Sequence, residues 1–247
     1  MNQFKWISFL FCAAVLTFSA CNIDLDDDDD GLFNCDEGEG DVITDVISIG
    51  DFTGVELKIS ADVYVRQGSP HEVQIEGQQN IIDQLDRDID DDTWEIEFDD
   101  CVRDYEDLKI YITMPEIEKL SINSSGGMFS ENTLVTEDLV LRISGSGDMD
   151  LELDAEEVDS KITGSGDIQL AGNTEEFELE INGSGDFRAF SLNSERGDIE
   201  IKGSGDAEVT VEKVLDVKVT GSGDILYRGN PTLNVDITGS GSVIDAN

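Results

Sequence analysis

From about residue 120 onward the chain alternates apolar and polar positions, with a longer period laid over the alternation. Ile143, Ile162, Ile181, Ile201, Val219 and Ile237 each stand two residues before a glycine. Met149, Ile168, Phe187, Ala207, Ile225 and Val243 each follow a short turn segment. Polar residues such as Arg142, Lys161, Glu180, Glu200 and Lys218 fill positions between. Period-two alternation with β-branched enrichment is the signature of a half-buried strand and not of a helix.

The segment between the strands is Gly-Ser-Gly-Asp, at Gly145–Asp148, Gly164–Asp167, Gly183–Asp186, Gly203–Asp206 and Gly221–Asp224. A copy at Gly239–Ser242 ends in Ser, and Ser124–Gly127 keeps part of the pattern. Successive copies start 21, 19, 19, 20, 18 and 18 residues apart. Self-similarity at that period describes a solenoid, whose coils bury their apolar faces against neighbouring coils. The expected fold is therefore all-β, a single-domain right-handed parallel β-solenoid (β-helix) with coils of about 19 residues. The hexapeptide pattern of left-handed β-helices is missing, which sets the hand. Before the repeats, Val55–Val65, Glu72–Glu76, Thr93–Phe98 and Leu108–Thr113 read as strands and Asn80–Leu85 as a short helix. This part is expected to cap the solenoid within one domain over residues 42–247, because an open strand edge invites aggregation.

Stacked coils place equivalent positions about 4.8 Å apart, so the turn side chains stack too. In one reading Ser146 and its equivalents form a hydrogen-bonded ladder, and each Asp accepts backbone N–H groups within its own turn. In the other, Asp148, Asp167, Asp186, Asp206 and Asp224 bind cations. Like charges at that spacing repel by roughly 1 kcal/mol in water, and Ca²⁺, which takes carboxylate and carbonyl oxygens, relieves this. The turn is faintly similar to the Gly-Gly-x-Gly-x-Asp repeat of Ca²⁺-binding β-rolls, but its spacing and Asp position differ.

Lys5 precedes an apolar stretch, Ile7 to Phe18, of signal-peptide length. Phe18-Ser19-Ala20-Cys21 resembles the lipobox of bacterial lipoproteins, which implies a signal peptide over residues 1–20 and lipidation of Cys21. The Asp-rich run that follows reads as an acidic tether over residues 21–41, and it resembles the export signal of surface lipoproteins. The expected location is the outer membrane, facing outward or otherwise the periplasm. Outside the cytoplasm, Cys35 and Cys101 make a disulfide candidate.

The formal net charge is −42, and −43 without residues 1–20, whose one charged side chain is Lys5. Such a surface excludes nucleic acid and anionic lipid or glycan as partners and attracts cations or basic proteins. The lone histidine, His71, follows Pro70 in an expected surface turn, so neither a Ser–His pair nor a His-rich metal site is expected. Basic residues that would neutralise an acidic polysaccharide are scarce and scattered. Phe129, Phe190 and Tyr227 are candidate ligand contacts or coil-corner packing.

Phe52-Thr53-Gly54-Val55-Glu56-Leu57, then Ala61-Asp62-Val63-Tyr64-Val65-Arg66-Gln67-Gly68, followed by the turn repeats, resembles the putative auto-transporter adhesin, head GIN domain family over about residues 50–245. The resemblance implies a β-helical, secreted or lipid-anchored envelope protein of Bacteroidetes and supplies no catalytic residues. The expected function is a lipid-anchored, non-catalytic binding or adhesion module for a protein or glycan ligand. A periplasm-facing structural or sensory lipoprotein, with or without Ca²⁺, is the alternative, and a polysaccharide-active β-helix enzyme a remote one.

Overall fold

The computed structural model describes residues 35–247. The expected signal peptide, Cys21 and most of the acidic tether lie outside these residues. The chain enters through β1 (Asp36–Glu37) and β2 (Val42–Ile47), then forms β3 (Gly54–Leu57) and β4 (Asp62–Gln67). It continues through β5 (Glu72–Gln78), α1 (Gln79–Ile82), β6 (Ile89–Asp90), β7 (Thr93–Ile96), β8 (Val102–Arg103) and β9 (Lys109–Met114). The regular part follows as β10 (Lys119–Ile122), β11 (Gly127–Ser130), β12 (Leu134–Gly145), β13 (Asp148–Gly164), β14 (Ile168–Gly183), β15 (Phe187–Gly203), β16 (Ala207–Gly221), β17 (Ile225–Arg228), β18 (Thr232–Gly239) and β19 (Val243–Asp245).

From β10 to β19 each strand pairs in parallel with the strand one coil on, which gives a right-handed solenoid of about 7 turns. Glycine positions match turn over turn, as Gly145↔Gly164↔Gly183↔Gly203↔Gly221↔Gly239. Two different demands explain the two glycines. The first of each turn has positive φ, 147° at Gly183, where an L side chain is strained. The second is fixed by proximity, since a Cβ on Gly185 would collide with the carbonyl oxygen of Gly166 below it.

In-register stacking aligns the interior. Leu57, Ile122, Ile143, Ile162, Ile181, Ile201 and Val219 form one buried ladder. Met128, Met149, Ile168, Phe187, Ala207 and Ile225 form another. Each fully buried aliphatic contributes about 1.5–3 kcal/mol. Volume is balanced between neighbours: Phe177 lies beside Gly197, whose missing Cβ makes room for the ring, and Phe187 lies beside Ala207. The length differences between coils are absorbed away from the turn, where β14–β15 slips between Gln169 and Ala171 and β15–β16 slips opposite Phe190–Leu192 and again between Ser194 and Arg196.

The first part does more than cap. β3–β4 is itself a layer of the stack, seated beneath β10–β11. A further layer, β7 and β9, seats beneath β3–β4. The layer formed first in the chain is thus held between two formed later. The expected single strand Val55–Val65 is broken by a turn at residues 58–61, and the helix lies a residue earlier than expected and is four residues long. Below these layers the sheet turns antiparallel: β5 pairs with β9, β2 with β5, and β6 with β7. Trp94, fully buried, donates its indole N–H to the Asp86 carbonyl at 2.9 Å and closes this end. Cys35 and Cys101 are bonded, Cα atoms 4.5 Å apart, beside the β1–β8 pair and an Arg103–Glu37 ion pair of 2.8 Å.

The close contact behind Gly185 makes a sharp test. Gly185→Ala is expected to lose at least about 2 kcal/mol in urea unfolding, the cost of overpacking against rigid backbone. Gly68→Ala, where the nearest atom is a Thr113 methyl at 3.4 Å, is expected to be near neutral.

Candidate functional site

The outer surface of the solenoid is organised as vertical rows, one residue per coil. The turn row contains the five carboxylates singled out in the sequence, and the structure brings all five into one line. Asp148 Oδ1 accepts the N–H of Asp167 at 3.0 Å, and Asp167 accepts from Asp186 at 2.8 Å. Asp186 accepts from Asp206 at 3.0 Å, Asp206 from Asp224 at 2.7 Å, and Asp224 from Ser242 at 2.8 Å. Each carboxylate therefore reaches the next coil and not its own turn, which corrects the local-turn expectation. The sixth copy can end in Ser because Ser242 contributes main-chain groups, its N–H to Asp224 and its carbonyl to the Ile225 N–H at 2.8 Å.

The carboxylates would repel at this spacing, and two features offset it. Each has an oxygen on a backbone N–H, a charge-assisted hydrogen bond of the stronger kind. Arg188 also spans two coils, 2.7 Å from Asp167 Oδ2 and 2.9 Å from Asp186 Oδ2. Among the described residues no three His, Cys, Asp or Glu side chains are grouped so as to hold a metal ion. The serine ladder is narrower than expected, with one described hydroxyl pair, Ser240 to Ser222 at 3.1 Å.

Three residues before each turn glycine lies a second row: Arg142, Lys161, Glu180, Glu200 and Lys218. Three basic residues that look scattered in the sequence, Arg142, Lys161 and Lys218, line up here. Lys161 lies 2.6 Å from Glu180, Lys202 bridges Glu180 and Glu200 at 3.2 and 2.9 Å, and Lys218 lies 2.7 Å from Glu200. Hydrogen bonds from Lys161, Asn182 and Lys202 lower the Glu180 pKa to about 2.

Five residues before each glycine is a third row that the sequence reading missed: Asp159, Glu178, Asp198 and Asp216. The same counting that found the turns would have found it. Asp159 is paired with Arg142. Desolvation, with Asp159 and Asp198 alongside, raises the Glu178 pKa. Desolvation, with Asp216 and Glu200 alongside, raises that of Asp198. This row sets four carboxylates against Arg142, with Asn234 donating to Asp216 at 2.7 Å.

The candidate aromatics separate into three environments. Phe129 stacks on Tyr64 at 5.4 Å, and Tyr64 on Tyr111 at 5.0 Å, with ring planes within 28°. Faces turned toward one another along the stack are spent on packing, and the partners come from the interleaved layers. Arg228 covers Phe190 at 4.0 Å, and Tyr227 packs against the core. His71 is not the exposed turn residue expected: its side chain is 12% exposed, edge-on to Phe52 at 4.5 Å. Its Nε2 has no hydrogen-bond partner, and Nδ1 is 4.0 Å from Asp51, too far for a relay. It borders an open groove with Asp51, Thr53, Asp92 and Glu116. A wider groove of about 510 Å³ gathers Glu116, Glu118, Glu137 and Asp138 around Gln67 and Val135.

Two outcomes follow from the rows. Asp186→Ala is expected to lower stability by about 1–2 kcal/mol, Asp186→Asn by less because an acceptor oxygen remains, and EDTA to leave the midpoints unchanged, all read by urea and thermal unfolding. The pKa values of Glu178 and Asp198 are raised by folding, so their protonation favours the folded state as pH falls. Glu180 works the other way, its contribution being lost only as pH falls from the ordinary 4.5 toward about 2. The melting midpoint is therefore expected to be higher near pH 5 than at pH 7, with a decline below about pH 4.

The profile of the family described as "Putative auto-transporter adhesin, head GIN domain" matches residues 51–231. A crystal structure described as a putative adhesin from Bacteroides fragilis superposes with a TM-score of 0.80 at 26% identity, covering 84% of this chain and 98% of its own. A "putative lipid binding protein" from Parabacteroides distasonis gives a TM-score of 0.72 at 22% identity, with 85% and 99% covered. A "putative adhesin" from Parabacteroides merdae gives 0.71 at 22%, with 85% and 98% covered. No curated protein matches the chain. The profile spans the cap, the interleaved layers and the turn repeats down to β17, and on that extent the chain belongs to the auto-transporter adhesin, head GIN domain family.

Proposed function

We propose that the protein is a non-catalytic adhesion module, tethered to the outer membrane by a lipid on Cys21 and displayed at the cell surface, with a protein or glycan ligand. The observation that carries this reading is the family membership over residues 51–231, which coincides with the rigid solenoid. A stack of parallel coils holds its rows of side chains at fixed spacing, and such extended flanks are what solenoids use for binding. The non-catalytic part is supported by the family, described as putative adhesins, and by the similar structure described as a putative adhesin.

Protease treatment of intact cells, followed by immunoblotting, tests the display. The protein is expected to be lost while a periplasmic control survives. Protection in intact cells with cleavage after lysis would overturn surface display and favour a structural or sensory role facing the periplasm.

A further inference from the structure

We propose that the coil formed by β18 and β19 is an interface through which two copies of this chain join tail to tail, β18 against β18, antiparallel about Val235. Large exposed aliphatics are few among the described residues, and their placement is uneven. Leu233, Val235 and Ile244, at 38, 47 and 42% exposure, lie on this coil. Ile43 and Val46 lie on β2 at the opposite end, and Val135 alone lies on a flank. Leu233, Val235 and Ile237 continue the ladders of Leu215, Val217 and Val219, which are buried. The apolar cross-section of the core thus reaches the surface here.

Charge falls away at the same place. Residues 230–247 carry two charged side chains, Asp236 and Asp245, where residues 212–229 carry six. Strand edges that must stay single are guarded by charge, especially Lys, by Pro or by bulges within the edge. β18 has one Asp and none of the other guards, and among the described residues it pairs on one side only, with β16. The charges of residues 212–229 cancel, three acidic against three basic, and residues 230–247 carry −2, so on a molecule of net charge −42 this end brings two copies together with little repulsion.

The sequence of β18 suits pairing with a second copy of itself, because in Leu233-Asn234-Val235-Asp236-Ile237 the two polar positions are an amide and a carboxylate placed symmetrically about Val235. Antiparallel pairing about Val235 sets Leu233 of one copy opposite Ile237 of the other, on the core side. It sets Asn234 opposite Asp236 on the outer side, an amide facing a carboxylate at both crossings. No carboxylate faces another. Directly opposite residues have Cβ atoms about 4.5–5.5 Å apart, and a two-fold contact closes on itself and does not propagate into a fibre.

Val235→Cys in the full-length chain tests this, with Val135→Cys on the flank as control in the same background. Under mild oxidation Val235→Cys is expected to give a disulfide-linked species of twice the monomer mass, reversed by reductant, while Val135→Cys stays monomeric. In parallel, the detergent-solubilised unsubstituted chain is expected to sediment as a dimer that strengthens with added salt as the acidic rods are screened. Val235→Glu is expected to lose that dimer, and its position at an exposed site leaves the melting midpoint in place. A monomeric Val235→Cys, equal cross-linking of both variants, or an adduct with a different protein would each overturn the two-fold contact. So would a head-to-tail arrangement, which keeps the two introduced thiols apart.

Discussion

The approach of one glycine backbone to the carbonyl of the glycine below is the contact on which the remaining architecture rests. At Gly166, Gly185, Gly205 and Gly223 no side chain fits, so the coils are held in a single register at the turn. With the turn pinned, every other position in the coil lies over its equivalent. The isoleucine ladders, the Phe177–Gly197 pairing and the slip opposite Phe190–Leu192 are all adjustments within that frame. A coil one residue longer or shorter is tolerated only away from the turn.

Vertical alignment helps apolar rows and penalises charged ones, and the three acidic rows meet the penalty differently. The turn row directs each carboxylate at a main-chain N–H of the next coil and so converts repulsion into inter-coil hydrogen bonds. The second row interleaves lysine with glutamate, which holds Glu180 ionised far below the ordinary carboxylate range. The third row has Arg142 at one end and an amide donor, Asn234, at the other, and between them desolvation and neighbouring carboxylates let Glu178 and Asp198 bind protons more readily than usual.

Much of this was legible because the fold is periodic. The turn glycines, the Ile143-to-Ile237 ladder and the all-β class are properties of spacing, and spacing survives in a single sequence. The interleaving of β3–β4 between β7–β9 and β10–β11 left no such trace, since β3–β4 and β7–β9 lack the glycine turn and pair out of chain order. The destination of each Asp was missed for a related reason: the residue chemistry names an N–H as partner, but only the stacking says which coil supplies it. His71 looked exposed because Pro70 marks a turn, while its burial against Phe52 depends on a contact that no local pattern records. The row at Glu178, Asp198 and Asp216 was within reach of the same periodic counting that found the turns.

The out-of-order layers change how the rod would respond to a pull. In a solenoid wound in chain order, tension on the first residues peels the outermost coil, one pair of strands at a time. Here the amino-terminal segment leads through β2 into β3–β4, which is clamped above and below. The Cys35–Cys101 link and the β1–β8 pair carry load directly onto the loop ahead of β9. Detaching that end requires several strands to slide past one another together, so the amino-terminal end of the described fold resists force by shear and not by unzipping.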